Sequence, residues 1–290
     1  MDLGKKFMKT GQGLNRKRQN QRRIFLYVFL VLGSAVALFP IYWMVLTSLK
    51  PANEIFIYPP TFFPSRLAFE NYVEAWNTAP FGRYFINSII VTFFTTASHI
   101  AIACLSAYAF VCIRFPGREV LFMAFLGTMM IPSVVTLVPT FVLIKKLNWI
   151  NTYRGLIIPH MVSVFGIFLL RQFFLTIPKD YEDAARIDGC GRLGILWRMY
   201  IPLAKPAIAA LAIFSFYHVW NEFFWPLVIT SIDEMRTLPI GLRYFIDTEG
   251  GSDWELVMAG GTMVVGPVLL AFFLLQRQFV RGITMTGLKA

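Results

Sequence analysis

The sequence predicts an all-α integral membrane protein with six transmembrane helices, and three observations carry that prediction. Of its 290 residues, 57% are hydrophobic and only 15% are charged, and the mean hydropathy of +0.60 is too high for a soluble domain of this length. Six apolar runs, at about 24–48, 84–113, 120–143, 155–175, 204–231 and 258–276, are long enough to cross a hydrocarbon core. The basic residues fall mainly in alternate connecting segments, as charge-directed membrane insertion requires.

Residues 1–23 form a basic tail with eight Lys or Arg, among them Lys5, Lys6, Arg22 and Arg23. The first span follows at once. Its Ala35-Val36-Ala37 resembles a signal-peptide cleavage site, but the apolar run continues through Trp43 to Leu49, so a retained anchor is expected. The second run is interrupted by His99 and hydroxyl groups but carries no Asp, Glu, Lys or Arg, and the third holds no charge. Between the fourth and fifth runs lies a water-loving loop, 176–203. The acidic segment 232–257 separates the fifth and sixth runs, and 282–290 is a short tail. Residues 24–281 thus make one membrane domain that includes the loop.

With the N-terminus inside and the spans alternating, 19 of the 27 basic residues fall inside, together with both termini. This distribution accounts for the net charge of +11 as a topology signal and argues against a nucleic-acid partner. The basic tail is also suited to anionic membrane lipid. Cys104 and Cys112 fall within the second run and Cys190 in the loop, with no metal-ligand spacing. His99, His160 and His218 are scattered over separate runs, so no shared metal site is expected. No phosphate-binding Gly-x-x-x-x-Gly-Lys-Ser/Thr loop, Gly-x-Ser-x-Gly elbow or His-Glu-x-x-His pair is present. An enzyme is not expected, and any nucleotide must bind another polypeptide.

The loop is the most informative stretch. Pro178 suits a first helical turn. Asp180, Glu182 and Asp183 complement the positive end of a helix dipole, and Glu182 and Arg186 are spaced i,i+4. Gly189 is able to take positive φ and end the helix. A second short amphipathic run, Leu193 to Ile201, is expected to stop at Pro202. Ala184 and Ala185 leave a shallow face on which another protein can pack closely.

Asp183, Ala184, Ala185, Gly189, Met199, Ile201 and Pro202 resemble the Glu-Ala-Ala, three residues, Gly, nine residues, Ile, any, Leu-Pro signature of ABC-importer permeases. Asp replaces Glu, Met replaces Ile and Ile replaces Leu, each keeping charge or apolar character. Further resemblances run in order along the chain. They include Thr47-Ser48-Leu49-Lys50-Pro51, Phe85-Ile86-Asn87-Ser88, Ala107-Tyr108-Ala109-Phe110, Trp220-Asn221-Glu222-Phe223 and the tail from Phe279. Together they are similar to the carbohydrate-uptake, maltose-type family of such permeases.

The resemblance implies a type I ABC importer (MetI-like) permease core in a bacterial cytoplasmic membrane. It implies a second homologous permease subunit, two ATPase subunits and an extracytoplasmic solute-binding protein as partners. No cofactor is expected on this chain; ATP and Mg belong to the ATPase subunits. The loop 178–202, with Glu182, Asp183, Ala184, Ala185, Asp188, Gly189 and Pro202, is the expected ATPase-coupling element. A secondary transporter or channel is the alternative class, one with no need of a docking helix.

His218, Asn221 and Glu222 form the candidate polar cluster within the membrane. Acids at membrane depth face a bundle interior. Glu222 is read either as a solute or gate contact or as a hydrogen bond that locks helices together, with His218 one turn away as its partner. Pro132, Pro226 and Gly266-Pro267 mark places where broken helices could line a cavity.

Overall fold

In a computed structural model of the chain, residues 3–246 and 252–286 are described. Helix α1, Leu3–Ser48, opens the structure. Its segment Arg22–Ser48 is apolar enough to cross a membrane, and Ile24 to Leu38 present their side chains outward rather than into this subunit. No break occurs at residue 23, because α1 is helical throughout. The connection after it folds back on the helix end. Lys50 is buried there, donating to Thr61 O at 2.7 Å and lying over the Trp43 ring. Asn71, on α2 (Glu70–Thr78), donates to the carbonyls of Ser48 and Lys50.

The central element is α3, Phe81–Cys112, which packs against most other helices of the bundle. Then come α4 (Arg118–Thr128) and α5 (Ser133–Lys146), which meet at 96°. The apolar run 120–143 therefore contains a sharp break. Pro132 causes it: it lacks the N–H a continuing helix needs, is itself extended at ψ 134°, and biases Ile131 away from helical geometry.

Next, α6 (Tyr153–Ile157) passes through a 3₁₀ turn, Ile158–His160, and bends by 41° into α7, Val164–Leu175. Thr152 and Ser163 cap these two helices, each accepting from the N–H three residues on. The loop folds as α8 (Lys179–Ile187), α9 (Arg192–Ile195), a π turn (Leu196–Tyr200) and α10 (Ile201–Leu203).

Helix α11, Lys205–Trp220, leaves that arm at 79°. The run expected to continue through 231 breaks at 221–223 and resumes as α12, Phe224–Ile229. After α13 (Leu238–Gly241), α14 runs Trp254–Thr286, past the expected boundary at 281. Residues 287–290 of the expected tail, and Asp247 and Glu249 of the acidic segment, lie outside the described residues. Among the described residues, three unbroken helices are long and apolar enough to span a membrane, and six spans result if each bent pair counts as one.

Among the described residues, three apolar clusters hold the bundle. One joins the last turns of α3 to α7, the loop helices and α11 through Phe174, Tyr200 and Leu211. A second, at the opposite end of α3, stacks Phe81 on Phe245 and includes Trp220. The third surrounds Trp225 and Ile229 beside Val91 of α3.

Candidate functional site

Two places gather the sequence-predicted residues, and they are separate. At the end of the bundle where α3 finishes, α8 presents two faces. Glu182 and Ala185 turn inward and are buried. The Glu182 carboxylate pairs with Arg186 on its own helix and accepts from the Tyr200 hydroxyl at 3.3 Å. The Tyr200 ring sits between Phe174, at 5.0 Å, and Tyr108, at 5.3 Å. One buried carboxylate thereby fastens α8 to the arm that carries Tyr200 and, through the rings, to α3 and α7.

Gly189 has φ +79°, the left-handed conformation that glycine adopts without steric penalty. Around it the N–H of Cys190 bonds Ala185 O and the N–H of Gly189 bonds Arg186 O. This is the paired closure of a Schellman turn. Asp188 occupies the C-cap. The second run ends at Leu203, one residue past Pro202 and within the play of a helix boundary. The helix continues to Leu203 because the preceding π turn widens the backbone, with Ile201 N–H bonding Leu196 O. The wider turn accommodates a ring that a regular helix would reject.

The outer face of α8 carries Asp183 and Ala184, both exposed. Beside them Ile187 is 87% exposed, with Leu193 at 64% and Trp197 at 65%. These three apolar side chains were not singled out from sequence, although Ile187 stands out as an apolar residue on a helix otherwise rich in charge.

The second place is a cavity of about 190 Å³ inside the bundle. Ser88, Thr92, Thr95 and His99 of α3 line one wall, and their spacing of four, three and four residues forms a single polar stripe on an apolar helix. His160 and Ser163 enter from the α6–α7 bend, and His218, Glu222 and Trp225 from the α11–α12 break. Both helix breaks thus face one space. Of the expected helix breakers, Pro226 lines it, whereas Pro132 and Pro267 do not; Pro159 does so unforeseen.

The three histidines, scattered in sequence, converge on this cavity. No group of three or more His, Cys, Asp or Glu among the described residues is placed to hold a metal ion. His99 Nε2 lies 2.6 Å from the carbonyl of His160 and Nδ1 lies 3.1 Å from Ser215 Oγ. A carbonyl only accepts, so Nε2 bears a proton, and the Ser215 hydroxyl, which can donate or accept, pairs with Nδ1.

Glu222 does not pair with His218 as the i,i+4 spacing suggested. Its Oε1 accepts the Trp225 N–H at 3.2 Å and caps α12. Asn221 donates to Tyr217 O at 2.8 Å, within its own helix rather than across to a neighbour. The hydroxyls of Thr95 and Thr237, both in the cavity lining, are buried without a hydrogen-bond partner, a condition that costs about 1–3 kcal/mol each when nothing answers it. A neighbouring cavity of about 390 Å³, bordered by Phe165 and Phe214, shares His99, Ser163 and His218 with the first.

Comparison with known proteins agrees with this architecture. Residues 99–285 match the family described as "Binding-protein-dependent transport system inner membrane component". The chain is 37% identical over 267 residues to the sn-glycerol-3-phosphate transport system permease protein UgpE of Yersinia pestis bv. Antiqua (strain Antiqua), covering 90% of this chain and 95% of that one. It is 35% identical over 270 residues to the arabinooligosaccharides transport system permease protein AraQ of Bacillus subtilis (strain 168), covering 92% and 96%. Among solved structures it resembles a bacterial ABC transporter involved in the import of the acidic polysaccharide alginate. The TM-score is 0.77 at 27% identity, over 88% of this chain and 95% of that one. A second alginate transporter, in complex with an alginate pentasaccharide-bound periplasmic protein, shares the fold with TM-score 0.64 at 16% identity, over 91% and 96%.

Proposed function

Because the chain belongs to the family of binding-protein-dependent transport system inner membrane components, we propose that it is the permease subunit of an ABC importer for a sugar or related carbohydrate. In this reading ATP is hydrolysed on a separate ATPase subunit, and the 178–202 loop transmits the motion. The observation that carries the coupling role is the division of labour on α8. Its inner face is locked to the core by Glu182 and Ala185, and its outer face exposes Asp183, Ala184 and Ile187. Ile187, Leu193 and Trp197 are apolar groups left in water at one end of the bundle, as a docking surface for another protein requires. Small Ala184 lets that partner approach the backbone.

A rigid link from the docked face to α3 is what a transporter needs to convert closure of an ATPase pair into movement of spans. The loop and both termini then face the cytoplasm, in keeping with the basic bias, and the opposite end of α3 meets a solute-binding protein. The outward apolar face of α1 lies against lipid or against a second, homologous permease.

The test uses the complex purified with its own ATPase subunits. Ile187→Asp and Asp183→Lys change only exposed side chains, so both variants should reach the membrane in normal amounts. Each should lose co-purification of the ATPase and solute-stimulated ATP hydrolysis. Full stimulated hydrolysis and uptake in both variants would remove the coupling role from this loop.

A further inference from the structure

We infer that the loop 54–65, together with the outer stripe of α2, is a lipid anchor. It seats this subunit in the membrane interface on the face opposite the 178–202 loop. The inference rests on α1 crossing the membrane and not on what the protein carries.

The level of that interface follows from α1. A hydrocarbon core of ~30 Å takes about 20 helical residues at ~1.5 Å each. Counted from Ile24, the first residue after the Arg22-Arg23 pair, they end at Trp43. Tyr42 and Trp43 therefore stand at the far boundary, the level that aromatic side chains with a polar tip favour. Lipid reaches this helix, because Ile24 to Leu32 are each exposed, on every side of it. A single protein neighbour covers only part of a circumference.

The loop is brought back to that boundary and held there. At its neck Glu54 accepts from the Ser65 hydroxyl and, at 3.1 Å, from the Ser65 N–H, which closes 54–65 as an Ω-loop. Just beyond, the N–H of Ala68 bonds Leu49 O, so the neck lies by the end of α1. Phe62 sits lower. Its carbonyl accepts from the Tyr42 hydroxyl at 2.8 Å, and its ring meets Trp43 edge-on with centroids 5.9 Å apart. Trp43 lies ~7.5 Å back along the helix from Ser48, the last residue of α1. The buried Lys50 fixes the same limb through Thr61 O. The return limb thus hangs along the span. A soluble partner arriving from the water would need it raised above the neck.

Its chemistry matches that level. No charged residue occurs from Ile55 to Pro64. Phe56, Tyr58 and Phe63 are 79%, 94% and 80% exposed, and exposed apolar rings gathered in one loop mark an interaction site. Helix α2 carries the same signal by a different route. Asn71 and Ala75 face the bundle, whereas Phe69, Val73 and Trp76 form an exposed apolar stripe at i, i+4 and i+7. Glu70, Glu74 and Asn77 make a separate, exposed polar stripe. An apolar stripe beside a charged one, on a helix that joins the ends of two spans, is the make-up of an interfacial helix.

The test uses native-lipid nanodiscs holding the whole complex, with the solute-binding protein present. A photoreactive benzophenone side chain is placed at Tyr58, at Phe63 or, on the polar stripe of α2, at Glu74. Irradiation should add the mass of a phospholipid at 58 and 63 and none at 74. A cross-link from 58 or 63 to the binding protein or to a second permease would overturn the anchor. Lipid adducts at all three positions, or at none, would overturn it as well. A smaller probe gives an independent reading: a nitroxide on Tyr58→Cys, in a Cys104→Ala, Cys112→Ala, Cys190→Ser background. Its collisions with membrane-soluble oxygen should exceed those with a water-soluble nickel chelate, and the reverse order would place the loop in water and refute the inference.

Discussion

Tyr200→Phe probes the bond that fastens α8 to the bundle. The Tyr200 ring is 2% exposed and packed by Phe174 and Tyr108. Phenylalanine keeps that packing and deletes only the hydroxyl. What is lost is the hydroxyl's bond to the Glu182 carboxylate, 3.3 Å long, together with its weaker contact to the Cys112 thiol. Bonds to charged groups contribute about 1.5–3 kcal/mol, and the long separation points to the lower end, about 1.5 kcal/mol. At roughly 2–4 °C per kcal/mol for a protein of this size class, the melting temperature in detergent should fall by about 3–6 °C. Glu182→Gln removes the same charged acceptor, so the double variant should lose less than the sum of the two singles. A coupling of about 1 kcal/mol is expected from the cycle. Additivity within ~0.5 kcal/mol would mean the pair does not interact, and the account of how α8 is held would fail. Solute-stimulated ATP hydrolysis measured well below the melting range should drop as well, because an untethered α8 docks without moving α3.

Two further substitutions probe backbone and packing. Gly189→Ala meets no atom within 4 Å of the new Cβ but must hold φ +79°, so circular-dichroism melts should show a loss of about 1 kcal/mol; an unchanged melt would show that the turn does not need its left-handed residue. Gly166→Ala would place a methyl 2.8 Å from Leu211 Cδ1, at the contact of α7 with α11. Overpacking of this kind costs about 1–3 kcal/mol, and Leu211→Ala on the same background should restore part of it; absence of rescue would locate the strain elsewhere.

Helix α8 was legible because its signals are local. Pro178, the acidic first turn and Gly189 are each a statement about one end of a helix in water, and the Schellman closure at Gly189 follows from them. Number and length of the apolar runs were equally legible, since a span must be long and apolar whatever its neighbours do. Where the runs bend was less so. Pro132 marked one break, and within 204–231 Pro226 and the polar pair Asn221-Glu222 stood beside a second without fixing it at 221–223. That break is stabilised from outside its own segment. Trp225 Nε1 donates to Gly155 O on α6, and Asn151 Oδ1 accepts from Ser231 N. Partners so far away in sequence leave no mark on a local window.

The same reasoning explains the expected and observed surroundings of Glu222. Sequence spacing offers only the neighbours on the same helix, so His218 at i−4 was the natural partner. In the structure α11 ends at Trp220, between His218 and Glu222, and a carboxylate just ahead of a fresh helix start has an unsatisfied N–H within reach, which it takes at 3.2 Å. One oxygen of Glu222 is thereby committed to structure while the residue still lines the cavity. The two readings of Glu222, helix lock and solute contact, are therefore compatible. A side chain that caps the broken helix is held in a fixed position at the cavity wall, where a transport path needs a rigid polar group. The stripe Ser88, Thr92, Thr95 and His99 is a further local sign of this cavity, beside His218, Glu222 and Pro226. It was visible as helical phase within α3, and it acquires meaning only when the two breaks close over it.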